Sequence, residues 1–362
     1  MNTQPPRDAF CIILAGGVGR RLWPASTKQL PKQFIDFFGT GRTLLQQTYD
    51  RFARFIPADH ILVSTFESYV PLVREQLPDI PESNILPEKV QLSTAPAAIW
   101  GTWHVALAGA DEACLIVTPA DQIVQDAERF EQQVRKGFDY VARHDVFLAM
   151  GVRPTLPNTA YGYIQMGKAS KEEHLFRVKS FSEKPEENYA KMFVESGEFL
   201  WNTGLFMWRV RTMGEQLATL AHRPYGNIVD TARQYITIAE ELEFARSTFP
   251  SELPRSLDLF ILERCANVIV QECDFGWADV GCWTEMRAVS QRDADGNALS
   301  GKAHVMFSGA SRCMVRLPEG LKAVVCGLDN FLIVQQDDVL MICPNDNPDQ
   351  IRRLINEAQV NL

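Results

Sequence analysis

The chain has 362 residues, 46% of them hydrophobic and 22% charged, with a formal net charge of -9. That is more than one average domain, with enough apolar material for a substantial core, and the acidic balance argues against duplex nucleic acid as the main partner. No apolar stretch approaches the ~20 residues that span a bilayer, and the opening MNTQPPRDAF has no signal-peptide pattern, so neither a membrane nor an export route is expected.

In chain order, residues 10–14 read as a buried strand. Residues 43–55 read as a helix with one face at 44, 45, 48, 49 and 52 and a capping box from Thr43 to Gln46. Short apolar strands follow at 60–64, 113–117 and 146–150, and helical patterns at 95–107 and 130–143. The alternation predicts an α/β fold with a mixed, mainly parallel sheet and helices on both faces. From about residue 296 the texture changes to short β runs at 304–307, 313–317, 323–326, 331–334 and 339–343, separated by Gly, Asp, Asn and Pro. Their near-regular spacing suggests a small C-terminal β domain, solenoid-like, closed by a helix from near Pro348 that packs through Ile351, Leu354, Ile355 and Ala358. The expected division is therefore residues 1–290 and 291–362. The 8 cysteines form no C-x-x-C pair and lie mostly in apolar runs. They read as buried free thiols in a reducing compartment, so a cytoplasmic protein is expected.

Chemistry-bearing residues concentrate in a few segments. Leu14-Ala15-Gly16-Gly17-Val18-Gly19-Arg20-Arg21 follows a strand directly, and glycines let backbone N–H groups approach a phosphate. The spacing fits neither the dinucleotide fingerprint nor the P-loop, so alone it is a phosphate cradle or merely a tight turn. Arg20, Arg21 and then Lys32 in Pro31-Lys32-Gln33-Phe34 bring three cations beside it, which suits a triphosphate. Asp121 lies just beyond a strand's carboxyl end, where open sheets bind ligands, although an Asp there also starts turns. Asp279 sits among Trp277, Gly281 and Trp283, and two such acids meet the needs of Mg²⁺ on phosphates. Glu183-Lys184-Pro185 reads as a sugar-phosphate contact or a surface turn. Asn202 interrupts an apolar run, as a ligand-binding amide or an ordinary core one.

Taken together, the order of these segments from about residue 10 to about residue 283 resembles the mannose-1-phosphate guanylyltransferase (GDP-mannose pyrophosphorylase) family, in its short single-function form. Leu44-Leu45-Gln46-Gln47-Thr48, Thr94-Ala95-Pro96-Ala97 and Tyr161-Gly162-Tyr163-Ile164 add to the match. The resemblance implies a Rossmann-like nucleotidyltransferase domain and a homodimer without a phosphomannose isomerase domain. It also implies transfer of GMP from GTP to mannose 1-phosphate, giving GDP-mannose and pyrophosphate with Mg²⁺ as cofactor. It assigns nucleotide contacts to Leu14, Ala15, Gly16, Gly17, Gly19, Arg20, Glu88, Thr94 and Pro96. Catalytic roles go to Arg21, Lys32, Asp121 and Lys184, metal binding to Asp121 and Asp279, and the sugar phosphate to Gly162, Glu183, Lys184 and Asn202. The sequence departs from the family at Arg20, usually Thr, and at Leu92-Ser93, usually Arg-Asn. Alternatives are another sugar 1-phosphate, such as a manno-heptose phosphate, or a catalytically silent regulatory subunit that binds nucleotide sugar.

Overall fold

The early apolar runs become strands of one nine-stranded sheet. The computed structural model describes residues 8–91, 93–219, 238–248 and 256–361, so Leu92 and the N-terminal segment lie outside the described residues. The strands up to residue 273 are β1 (Ala9–Leu14), β2 (Ile61–Phe66), β3 (Ile85–Glu88), β4 (Cys114–Pro119), β5 (Gln122–Val124), β6 (Phe147–Val152), β7 (Tyr163–Ala169), β8 (Leu175–Ser182), β9 (Phe199–Arg209) and β10 (Val268–Cys273). The large sheet runs β3-β2-β1-β4-β9-β6-β10-β8-β7. Pairing is parallel from β3 through β4 and between β6 and β10. It is antiparallel where β9 lies between β4 and β6, and where β7 and β8 join. The sheet is thus mixed, and parallel pairing does not dominate it as the sequence suggested. β7 and β8 escape a search for apolar runs because Gln165, Lys168, Arg177 and Lys179 break them. β9 escapes it because Asn202-Thr203-Gly204 interrupts its apolar stretch.

Helices cover both faces of this sheet. The helix Thr94–Leu107 is apolar nearly all round and deeply buried, and its Thr102 Oγ1 accepts from Trp208 Nε1 at 3.2 Å. The helix Ala127–Arg143 buries Phe130, Val134, Phe138 and Val141 on one stripe. It comes so close to β9 that a Cβ on Gly137 would lie 2.7 Å from Met207 Sδ. Met207 and Trp208 are adjacent on one strand, so they point to opposite faces, and the two helices lie on opposite sides. Around the first helix, Ile12, Leu62, Leu115, Trp103 and Trp208 form one continuous core. Glu241, from the helix Ile238–Thr248, accepts from Trp100 Nε1 at 2.5 Å and meets His104 Nδ1 at 2.7 Å.

Packing divides the chain into two compact units, the first built from the described residues up to Gly16 with Tyr49–Pro119 and Val124–Trp277. The second joins Gly17–Thr48 and Ala120–Ile123 to the residues from Ala278 onward. After β11 (Trp277–Asp279), its strands are β12 (Ala298–Ser300), β13 (His304–Ser308), β14 (Met314–Arg316), β15 (Lys322–Cys326), β16 (Phe331–Gln336) and β17 (Val339–Pro344). Ala298 pairs in parallel with Met314, Met314 with Leu332, and His304 with Lys322. Leu22, Phe37 and Leu44 share a core with Val280, Trp283, Met314, Leu332, Ile351 and Ile355. The capping box stands as expected, Thr43 N–H to Gln46 Oε1 at 2.9 Å and Gln46 N–H to Thr43 Oγ1 at 3.3 Å. The closing helix is Pro348–Asn361 and buries Ile351 and Ile355. Leu354, expected to pack, is exposed, and of that helix only the i, i+4 pair Ile351 and Ile355 is buried.

Candidate active site

Residues of the second unit gather the predicted phosphate machinery. Gly19 has φ +66, and a Cβ there would lie 2.8 Å from both Lys32 Cγ and Ser26 Oγ, so only glycine fits. The loop is pinned by its own continuation. Ser26 Oγ donates to the Val18 carbonyl at 3.0 Å, and Gln33 Nε2 to the Gly17 carbonyl at 2.9 Å. Pro31 then leads into a single turn, Lys32–Phe34, which buries the Lys32 side chain. Its ammonium forms an ion pair with Asp121. Burial opposes that charge, but Asp121 and Asp279 outweigh it and raise the Lys32 pKa above its ordinary value. Asp279 is pushed up to about 6 by burial; Lys32 and Arg21 draw it down, while Asp121 and Glu285 push it further up. Gly281 makes room for this cluster, since a Cβ there would meet Arg21 Nη2 at 2.5 Å and Asp279 Oδ2 and Glu285 Oε2 at 3.1 Å.

Arg21, Lys32, Asp121 and Asp279 therefore form one charge-balanced group, joined by Glu285, which sequence reading missed. Glu285 Oε2 is buried and without a hydrogen-bond partner among the described residues. Only its place six residues after Asp279, in the first turn of the helix Trp283–Val289, could have drawn notice. Arg20 differs from its neighbour. Its side chain is exposed and lines a separate groove of about 550 Å³ with Trp23, Lys28, Asn356 and Gln359. Among the described residues no three His, Cys, Asp or Glu side chains gather as a self-sufficient metal cage. Two hard carboxylates, one burdened by its acidic neighbours, fit Mg²⁺, which takes one or two protein carboxylates and fills the rest with phosphate and water.

Residues of the first unit form two further groups. Leu14 ends β1, and the Ala15 N–H donates to the Ser64 carbonyl at 2.7 Å while the Ala15 carbonyl accepts from Thr65 Oγ1 at 3.0 Å. Gln91 Nε2 donates to the Gly16 carbonyl at 2.7 Å. Glu88, at the end of β3, accepts from Ser64 Oγ at 2.8 Å, and burial pushes its carboxyl up to about 7. Its Oε1 would stand 3.6 Å from a Cβ on Gly16. Thr94 and Pro96 open a helix, where a proline gives up no needed N–H, and Thr94 Oγ1 accepts from the Leu257 N–H at 2.9 Å.

The other group assembles Gly162, Glu183 and Asn202. A Cβ on Gly162 would lie 2.9 Å from Glu183 Oε2 and 3.4 Å from Asn202 Cβ, while the Asn202 N–H donates to the Gly162 carbonyl at 2.8 Å. Lys184, with φ +45, pairs its ammonium with Glu183. Asp258, a second residue missed from sequence, accepts from Asn202 Nδ2 at 3.0 Å. Its signal was the same as that of Asn202, a polar side chain inside an apolar run. Tyr161 packs edge-on against both Trp201 and Trp277, ring centres 5.1 Å away in each case.

The profile of the family described as "Nucleotidyl transferase" matches residues 10–296. Alginate biosynthesis protein AlgA of Pseudomonas syringae pv. tomato is 33% identical over 347 residues, 95% of this chain and 70% of that protein. Mannose-1-phosphate guanylyltransferase of Escherichia coli is 32% identical over 360 residues, 97% of this chain and 74% of that protein. A solved structure described as mannose-1-phosphate geranyltransferase from Thermus thermophilus superposes with a TM-score of 0.86 at 26% identity, covering 97% of this chain and 99% of that one.

Proposed function

The chain belongs to the nucleotidyl transferase family, and from that premise we propose that it transfers GMP from GTP to mannose 1-phosphate, releasing GDP-mannose and pyrophosphate. The observation that carries the reading is the buried Lys32 ammonium set against Asp121 and Asp279, with Arg21 beside it. A phosphate oxygen of the sugar phosphate attacks the α-phosphorus of GTP in line. One P–O bond forms as the bond to the bridging oxygen breaks, and pyrophosphate leaves with the electron pair. The attacking oxygen is already anionic, so the site needs alignment and charge stabilisation rather than a general base. A divalent cation, Mg²⁺ in this reading and held by Asp121 and Asp279, supplies charge neutralisation on the phosphates.

The chain's own residues do the rest. Backbone N–H groups from Leu14 to Gly19 receive the nucleotide, with Arg20 at the loop's edge. Arg21 and Lys32 stabilise charge as it shifts onto the leaving group. Glu88, Thr94 and Pro96 serve the base. Lys184 holds the phosphate of the sugar phosphate, while Gly162, Glu183 and Asn202 meet the sugar. Pyrophosphate release, measured with each of four nucleoside triphosphates against a panel of sugar 1-phosphates, tests the choice of substrates. Lys32→Ala and Asp121→Ala are expected to abolish turnover while the circular dichroism stays native. Near-normal activity in either variant sinks the catalytic assignment.

Three finer readings go with it. Residues 1–290 serve as the nucleotidyltransferase part, and residues 291–362 as a short solenoid-like β part, supported by the parallel Ala298–Met314–Leu332 ladder. Homodimerisation through that part is supported by Met306 and Val324, opposite in register and both well exposed. Cytoplasmic residence is supported by eight free cysteines, five of them buried. No helix among the described residues is long and apolar enough to cross a membrane.

A further inference from the structure

The Asn202 side chain is held at both ends. Its Oδ1 accepts from the Gly204 N–H at 3.0 Å, and its Nδ2 donates to Asp258 Oδ1 at 3.0 Å. Those two bonds fix the plane of the amide and leave one Nδ2 hydrogen to spare. Asp258 is equally constrained. It lies in the short helix Leu257–Phe260, where the Leu257 N–H is tied to Thr94 Oγ1 and Ser256 Oγ accepts from the Leu259 N–H.

The position is unfavourable for a carboxylate. Burial pushes the Asp258 pKa up to about 6; Asn202 draws it down, and Glu183 and Glu263 push it further up. A carboxylate facing another destabilises a fold unless donors satisfy it, and it has room for about four. Asn202 and the residue's own backbone N–H supply two. The unfilled acceptor positions on Asp258, beside the spare Asn202 Nδ2 hydrogen and the Glu183 carboxylate, fit a molecule that carries donors and acceptors on every carbon, a polyol ring.

We propose that Asp258 is a sugar-recognition residue: its carboxylate accepts one hydroxyl of the sugar 1-phosphate directly and holds Asn202 to meet a second. The inference rests on the sugar-phosphate reading of Glu183, Lys184 and Asn202 given above. It makes choice of the sugar, rather than of the base, the property governed by Asp258.

Asp258→Asn keeps the shape and removes the charge, and Asp258→Ser serves as a second variant. With the sugar 1-phosphate that the wild type uses best, KM for that sugar is expected to rise by about ten- to a hundredfold, the worth of one hydrogen bond to a charged group. KM for GTP stays within about twofold. Calorimetry gives a readout independent of turnover: the wild type binds GDP-mannose more tightly than GDP, and both variants lose that preference. A sugar KM unchanged in both variants, equal shifts in the two KM values, or a preference for GDP-mannose that is absent from the wild type or undiminished in the variants overturns the proposal. Wild-type turnover, recorded alongside, tests the reaction itself.

Discussion

Replacing Glu88 by Gln isolates one buried ionisation. Burial raises this carboxyl from an ordinary 4.5 to about 7, although Ser64 Oγ donates to it. A tenfold change in an acidity constant corresponds to about 1.4 kcal/mol, so ionising Glu88 in the folded protein costs about 3 kcal/mol. The folded state therefore binds this proton more tightly than the unfolded chain does. The contribution is fully present below about pH 4.5 and is lost as the pH rises from there through about 7. Glu88→Gln cannot ionise, and its side-chain oxygen still accepts from Ser64. Urea unfolding from about pH 5 to about pH 8 is then expected to show the variant pulling ahead of the wild type, by up to about 3 kcal/mol at the alkaline end. Parallel stability curves across that range would refute the reasoning. In the proposed reaction the guanine edge offers N–H donors to the same group, so KM for GTP falls as Glu88 ionises and stays flat in the variant.

Gly19→Ala forces a side chain into the left-handed region and against Lys32 and Ser26. The backbone cost of about 1–2 kcal/mol and overpacking of about 1–3 kcal/mol together lower stability by about 2–5 kcal/mol in urea unfolding, with turnover falling further. Unchanged stability contradicts the close approach. Chelation with EDTA is expected to stop pyrophosphate release and added Mg²⁺ to restore it, with Asp279→Asn needing more Mg²⁺ for half-maximal rate. Full activity under chelation rules out the two-carboxylate metal reading.

Much of the frame was legible in the sequence because its signals are local. The strands near residues 10, 60, 113 and 146 are uninterrupted apolar runs, and each appears within a residue or two of its expected start. Thr43 and Gln46 announce a helix through bonds that span one turn. What stayed hidden depends on distant partners. β9 is inserted antiparallel between β4 and β6, an arrangement that no window around Asn202 can reveal. Asp121 and Asp279 read as a metal-binding pair in the sequence, yet only packing brings Lys32 to both and Glu285 beside them. Asp258 carries no sequence signal beyond a single acid in an apolar run, and only the fold brings it to Asn202.

The shared core of Leu22, Phe37 and Leu44 with Met314, Leu332 and Ile355 limits how this protein can be recombined. The turn that bears Lys32 belongs to a hydrophobic body whose other half is encoded some three hundred residues later. A chimera that exchanges only the C-terminal strands would pair a foreign half-core with the native loop, and the lysine would inherit the misfit. Exchange that respects this compact unit has to move Gly17–Thr48 and Ala120–Ile123 together with those strands, as a discontinuous cassette.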